Sequence, residues 1–263
     1  MKQYLYIVKG SMQSNFAYRA ASLINLAANL LYIVILYYLW QAIYADKAQL
    51  NGLTFEHTFL YLVIAATLFN IYRTFTDYII SFDVNSGDIV NYLLKPIDYQ
   101  LYCLSRSLGR ICANIIMILI PTAVLMYFVL GLTLPVDQNW FLSITSLILA
   151  WLIIFMLDYM VGLVSFYTQS IWGIFQTRES LVVVFSGVLI PFAFFPQWLQ
   201  DLLEFSPFVA MYYTPITLLM GQIESTSQAL WMITNQIVWL GVFFIICRAF
   251  FKKATKVITI NGG

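Results

Sequence analysis

Asp158 stands in a long apolar run, where an ionised side chain is expensive and is a functional candidate by default. A carboxyl group there can hold a proton or a cation. It can equally pair with Arg106 or Arg110, or stay neutral and hydrogen-bonded. Arg73 and Asp77 are four residues apart at the end of another apolar run. On one helix that spacing gives them a shared face, where they can pair as an anchor or a hinge. Arg178 and Glu179 are adjacent at a polar connection, suited to contact with a second protein or to a solvated charge anchor. Asn25, Asn29, Asn70 and Asn114 lie inside apolar runs and must face protein or water; helix packing explains most such residues, while Asn70, with Thr67 and Phe69, can also face a solute path. His57, the single histidine, cannot build a metal site from the ligands available, and no nucleophile motif accompanies it. Cys103, Cys112 and Cys247 form no CxxC and read as reduced structural thiols. Gly109, Gly131, Gly162 and Gly173 are not followed by Lys, so no G-x-x-x-x-G-K-[ST] loop cradles a nucleotide.

These residues must be positioned by membrane helices. The chain is 62% hydrophobic and 10% charged, whereas about a quarter of the residues in a soluble domain are charged. Its net charge of +1 carries no basic patch for nucleic acid. A span needs about 20 apolar residues, and six runs qualify: residues 20–44, 55–79, 104–130, 140–167, 181–195 and 230–251. Threaded six times with the N-terminus inside, they leave only Lys47 of the 13 Lys and Arg on the outer side. Cytoplasmic excess of Lys and Arg is what orients a polytopic chain. The acids carry little topological information and act as a control: they divide about evenly, with Asp46, Glu56, Asp137, Asp201, Glu204 and Glu224 outside. The expected fold is therefore all-α, one six-span membrane unit over residues 1–263, with both termini cytoplasmic.

Two further pieces are expected at the interfaces. Residues 1–18 place Tyr4, Leu5, Val8, Met12 and Phe16 on one face and Lys2 and Lys9 elsewhere, the pattern of a basic helix lying on a membrane. The fifth run is short, and Pro196, Pro207 and Pro215 follow it. Interior prolines break a helix, so residues 191–215 are expected to form a re-entrant outer segment, tolerated only where protein or water covers the backbone. Phe192 and Phe195 supply bulk there.

The longest polar interval, residues 81–107, holds a compact unit. Asn85-Ser86-Gly87-Asp88 signals a turn; Ile89, Val90, Leu93 and Leu94 form an apolar stripe; Lys95-Pro96 stops the helix. Such a helix can rest on lipid or fit a cleft on a partner. The run Gly87-Asp88-Ile89-Val90-Asn91-Tyr92-Leu93-Leu94-Lys95-Pro96-Ile97-Asp98 resembles the G-x-I-x-x-x-L-L-[RK]-P-[IL] segment of type-2 ABC exporter permeases. The likeness extends over the whole chain, through the proline-broken fifth span to the basic tail ending in Gly262-Gly263. It implies that residues 83–99 are a coupling helix seated on a separate ATP-binding cassette ATPase, with Asp83, Gly87, Asp88, Ile89, Leu93, Leu94, Lys95 and Pro96 at the contact and Arg178 and Glu179 as a second one. It implies a second permease chain, identical or paralogous, and ATP and magnesium held by the ATPase, with no cofactor in this chain. It also implies a path lined by spans two and five, to which Thr67, Asn70 and Phe185 belong, closed outside by Phe192 and Phe195. An amphiphilic or hydrophobic cargo suits the aromatic character of those spans. The chain itself is then not an enzyme. An ion-coupled transporter using Asp158 is the alternative, although it would want more midplane acids and an internal repeat.

Overall fold

A computed structural model describes residues 2–45, 47–131, 140–223 and 225–257. Asp46, Asp137, Glu224 and the tail from 258 to 263 lie outside the described residues. The fold is helical, and among the described residues the one β-type pairing is an isolated bridge between Leu50 and Leu53. Among the described residues, five helical segments are long and apolar enough to cross a membrane: Arg19–Tyr44, Phe55–Asn85, Tyr99–Phe128, Trp140–Phe166 and Thr226–Val257. The second and fourth are 72% and 61% buried within the chain, against 17–28% for the other three. Spans two and four therefore form the core of the bundle, and the rest wrap it with apolar faces left outward.

Helix α1 (Lys2–Ala17) precedes α2 (Arg19–Tyr44), and the two meet at Tyr18. Tyr4, Ile7, Val8, Ser11, Met12 and Phe16 are half-buried, and the Ser11 hydroxyl donates to the Arg106 carbonyl at 2.7 Å. Leu5 was expected on this face but is 69% exposed. The stripe that packs is the 4-7-8-11 row, and Leu5 lies a quarter turn from it. On α2 only Asn29, Ile33, Leu36, Trp40 and Tyr44 are buried, one residue per turn.

Span two is not one helix. Helix α3 (Phe55–Tyr72) stops, Arg73 to Phe75 are non-helical, and α4 (Thr76–Asn85) restarts. Phe75 sits in the left-handed region at φ +53°, a conformation rare for a bulky residue. The carbonyls freed by the break find side chains: Arg110 Nη1 donates to Thr74 O at 2.6 Å and Asn114 Nδ2 to Ile71 O at 3.0 Å. Those donors come from α6 (Tyr99–Asn114), which follows the short α5 (Ile89–Leu93). A π-helical turn, Ile115–Leu119, then leads into α7 (Ile120–Leu130). Pro121 explains that wide turn, because it lacks an N–H and its ring crowds the preceding carbonyl.

Helix α8 (Trp140–Leu163) packs on α4 through Gly162. A Cβ added there would fall 2.8 Å from Ile80 Cβ and 3.1 Å from Asp77 Cα. Neither atom is the end of a flexible chain, so Gly162→Leu is expected to push α4 off α8 and cost at least about 1–3 kcal/mol. A fall in the melting temperature of the detergent-purified protein, absent in Gly173→Leu where a Cβ meets nothing within 4 Å, checks this.

The fifth run differs from expectation. Its helix, α9, spans Trp172–Phe185 and begins nine residues before the expected start at 181. At 14 residues it is about 21 Å long, short of the roughly 30 Å hydrocarbon core. It ends where Gly187 takes φ +84°, the usual left-handed stop. The chain continues as short helices α10 (Gln197–Leu203), α11 (Pro207–Met211) and α12 (Tyr213–Leu219), before α13 (Thr226–Ala254) returns through the bundle. Helix α10 exposes Trp198 and Leu202 and buries Leu203, and Phe205 just beyond it is exposed.

Candidate functional site

The turn Ser86-Gly87-Asp88 and α5 form a knuckle between α4 and α6. Gly87 has φ +82°, open to glycine at no cost, and the Ser86 hydroxyl donates to Asp88 Oδ2 at 2.9 Å. Ile89 is 2% exposed and joins the core, so the expected one-sided stripe divides. Leu93 and Leu94 point outward, Leu94 at 80% exposure. Lys95 Nζ lies 5.4 Å from the Tyr92 ring centroid. Asp83, expected at a partner contact, is buried on α4 and accepts from Tyr99 Oη at 3.0 Å. Asp83 and Ile89 thus fix the knuckle to the bundle, and the surface open to a partner is Asp88, Leu93, Leu94, Lys95 and Pro96. Burial holds the Tyr92 hydroxyl, 3.0 Å from that of Tyr102, above the ordinary phenol range, so it stays neutral.

Asp98 anchors the far end of the knuckle, a role the sequence did not reveal. It caps α6 by accepting from Leu101 N at 2.9 Å, its own N–H donates to Tyr4 Oη at 3.0 Å, and it pairs with Arg248 of α13. The N-terminal helix, the knuckle and the C-terminal end of α13 therefore lie at one end of the molecule. The loop after α8 joins them, since Asn85 Nδ2 donates to Gln169 O at 3.0 Å.

Behind the knuckle lies a charge cluster built from α4, α8 and α9. Arg178 Nη2 meets Asp77 Oδ2 at 2.6 Å and Asp158 Oδ1 at 3.1 Å. The first contact is a well-formed hydrogen bond; Asp158 Oδ1 makes none, so Asp158 is held chiefly by charge. The Asp77 side chain is fully buried and that of Asp158 is 3% exposed. Arg178 also lies over the Phe175 ring at 4.9 Å. Beside it, Arg73 pairs with Glu179 at 2.9 Å and faces the Phe75 ring at 5.0 Å. Three carboxylates thus face two guanidiniums.

This pairing corrects three expectations. Arg73 and Asp77 do not pair, because the break at Phe75 removes the continuous helix that their spacing presupposed. Asp158 pairs with Arg178, and not with Arg106 or Arg110. Arg178 and Glu179 lie within α9 with their charges turned into the bundle, so they are not a free contact on a cytoplasmic connection. They lowered the hydropathy of the start of α9 and hid it.

Thr67 is buried and donates to Val63 O at 2.7 Å, so it faces no solute path within this chain. Asn70 donates to Asn29 Oδ1 at 2.8 Å and to Ala66 O at 3.0 Å, tying α3 to α2. Phe185 lies 5.9 Å from Phe208. Phe192 is buried 4.7 Å from Tyr213 and 5.6 Å from Phe195, an aromatic plug at the end opposite the knuckle. His57 is exposed on the first turn of α3, where its N–H donates to Thr54 Oγ1.

No curated protein matches the chain. The sequence profile described as ABC-2 family transporter protein matches residues 30–262, nearly the whole of this multi-pass helical chain, knuckle and charge cluster included. The chain belongs to the ABC-2 family of transporter proteins.

Proposed function

We propose that the chain is the membrane subunit of an ATP-driven exporter, coupled to a separate ATP-binding cassette ATPase through the knuckle at residues 86–98. One observation carries this reading. Leu93, Leu94, Lys95 and Pro96 are presented to solvent on a loop whose two ends are fixed by Asp83–Tyr99 and Asp98–Arg248. A surface fixed at both ends can transmit a push. Helix α4 leads directly from it to Asp77, and the Asp77–Arg178 contact carries displacement into α9, the segment beneath the aromatic plug.

In this reading two such chains, identical or paralogous, enclose the path, and two ATPases bind ATP and magnesium. Closure of the ATPases switches access to the opposite side for an amphiphilic or hydrophobic cargo. The knuckle end is cytoplasmic, because Lys2, Lys9, Arg106, Arg248, Lys252 and Lys253 gather toward it. Helix α9 with residues 187–219 makes the fifth crossing, re-entrant at the outer surface, and Phe192 with Phe195 closes the path there. An ion-coupled transporter is the weaker reading, since Asp158 already faces Arg178 at 3.1 Å.

The tagged chain, purified in mild detergent, should bring down an ATP-hydrolysing subunit that crosslinks to a cysteine placed at Leu94. Purification without any ATPase, alongside transport driven by a proton gradient, would overturn the proposal. Topology has its own check. In intact cells an impermeant thiol reagent should label a cysteine at Gln49 and leave one at Asn91 unlabelled.

A further inference from the structure

A cavity of about 360 Å³ opens between the α1–α2 elbow and the broken part of span two. Its walls include Asn25 of α2, Asn70 and Arg73 at the break, Arg110 and Asn114 of α6, and Ile118 of the π turn. The volume is far above the ~30 Å³ share of one water. No acidic side chain lines it. Arg73 is partly offset by Glu179, which holds it at 2.9 Å from outside the cavity. Arg110 has no such offset. Its guanidinium donates to the Thr74 carbonyl at 2.6 Å and lies 5.8 Å from the Phe75 ring, and among the described residues no carboxylate lies within 4.0 Å of it.

A guanidinium removed from bulk water without a counter-charge is costly, and proteins pair such groups. Here the chain supplies carbonyl and aromatic contacts but no anion. The neutral donors fit one: Asn114 spends a single N–H on Ile71 O, and Asn25 makes no hydrogen bond to the described protein. The cavity is also amphipathic along its length, from Arg110 through Asn114 to Ile118, successive turns of one helical segment. Exposed apolar side chains neighbour its lining residues along the chain, with Leu23 and Ile24 between Ser22 and Asn25 on α2 and Ile116 between Asn114 and Ile118. We infer that this cavity is a binding site for the phosphate headgroup of an anionic lipid from the leaflet at the knuckle end, with Arg110 as its principal ligand and the acyl chains lying along α2 and the π turn. The site does not depend on the exporter reading, and its test needs no ATPase.

The full chain would be placed in nanodiscs of equal phosphatidylglycerol and phosphatidylcholine, then released for native mass spectrometry and thermal melting. The wild type should retain phosphatidylglycerol in preference to phosphatidylcholine. Arg110→Gln should lower that retention about tenfold, the loss of one charge-assisted contact. Arg110 also braces Thr74, so a second variant separates binding from folding. Ala21→Phe fills the cavity from the exposed face of α2 without touching Arg110, and should abolish retention at wild-type melting temperature. Nanodiscs of phosphatidylcholine alone, with millimolar inorganic phosphate, give the other arm. Stabilisation by inorganic phosphate equal to that by phosphatidylglycerol would overturn the lipid as occupant in favour of a free anion. Equal retention of phosphatidylglycerol by the wild type, Arg110→Gln and Ala21→Phe would overturn the site altogether.

Discussion

Replacing Arg178 with alanine should unfold the knuckle half of the bundle or come close to it. Among the described residues the guanidinium is the only positive group in contact with either Asp77 or Asp158, at 2.6 Å and 3.1 Å. Its removal leaves two buried carboxylates facing one another, and breaking such a pair by deleting one partner costs about 3–5 kcal/mol. That is a large part of the margin of a typical domain. Arg178→Lys should recover little, because the lysine ammonium ends one bond short of the position from which Nη2 meets both acids, and it loses the stacking on Phe175. The informative rescue is Arg178→Met combined with Asp77→Asn and Asp158→Asn. Apolar or neutral replacement of a whole buried ionic group is often tolerated, so this triple variant should melt well above Arg178→Ala. If Arg178→Ala keeps wild-type melting and expression, the cluster holds nothing together. If the triple variant folds yet no longer couples ATP hydrolysis to transport, the charges serve transmission and not assembly.

The sequence disclosed local features and concealed distant ones. Asn85-Ser86-Gly87-Asp88 was legible because a turn needing φ +82° all but requires glycine. The broken segment after α9 was legible from Pro196, which precedes α10, and Pro207, which opens α11, whereas Pro215 lies within α12 and breaks nothing. Spacing misled where it assumed an unbroken helix. Arg73 and Asp77 look like an i, i+4 pair, yet Phe75 turns left-handed between them and sends each to a different partner on α9. Nothing in the local pattern joins Asp77 to Arg178, which are 101 residues apart; only the tertiary packing of α4 against α8 and α9 does. Hydropathy erred at α9 for the same reason, since polar residues satisfied inside the bundle read as a solvated loop. The knuckle stripe shows the limit of an amphipathic pattern: it marks Ile89, Val90, Leu93 and Leu94 as apolar, but cannot tell which of them the chain's own core claims.

That division of the stripe sharpens the test of coupling. Leu93→Glu with Leu94→Glu should leave the protein inserted and folded, because both side chains are outside the core, Leu94 at 80% exposure and Leu93 at 40%. Surface substitutions away from buried features usually change stability by no more than about 0.5 kcal/mol. At a partner interface the same change places two carboxylates in an apolar cleft, and truncation or charging of a central anchor there costs about 2 kcal/mol or more. The expected result is near-complete loss of transport, and loss of co-purifying ATPase, at unchanged expression and melting temperature. Ile89→Glu is the contrasting variant: at 2% exposure it puts a charge into the core and should lower the melting temperature before any question of coupling arises. Transport at wild-type rate in Leu93→Glu/Leu94→Glu would mean that the knuckle rests on lipid and that force enters the membrane subunit elsewhere. Loss of transport with the ATPase still bound at full stoichiometry would place the ATPase contact beyond Leu94, and leave the knuckle as the lever that the contact moves.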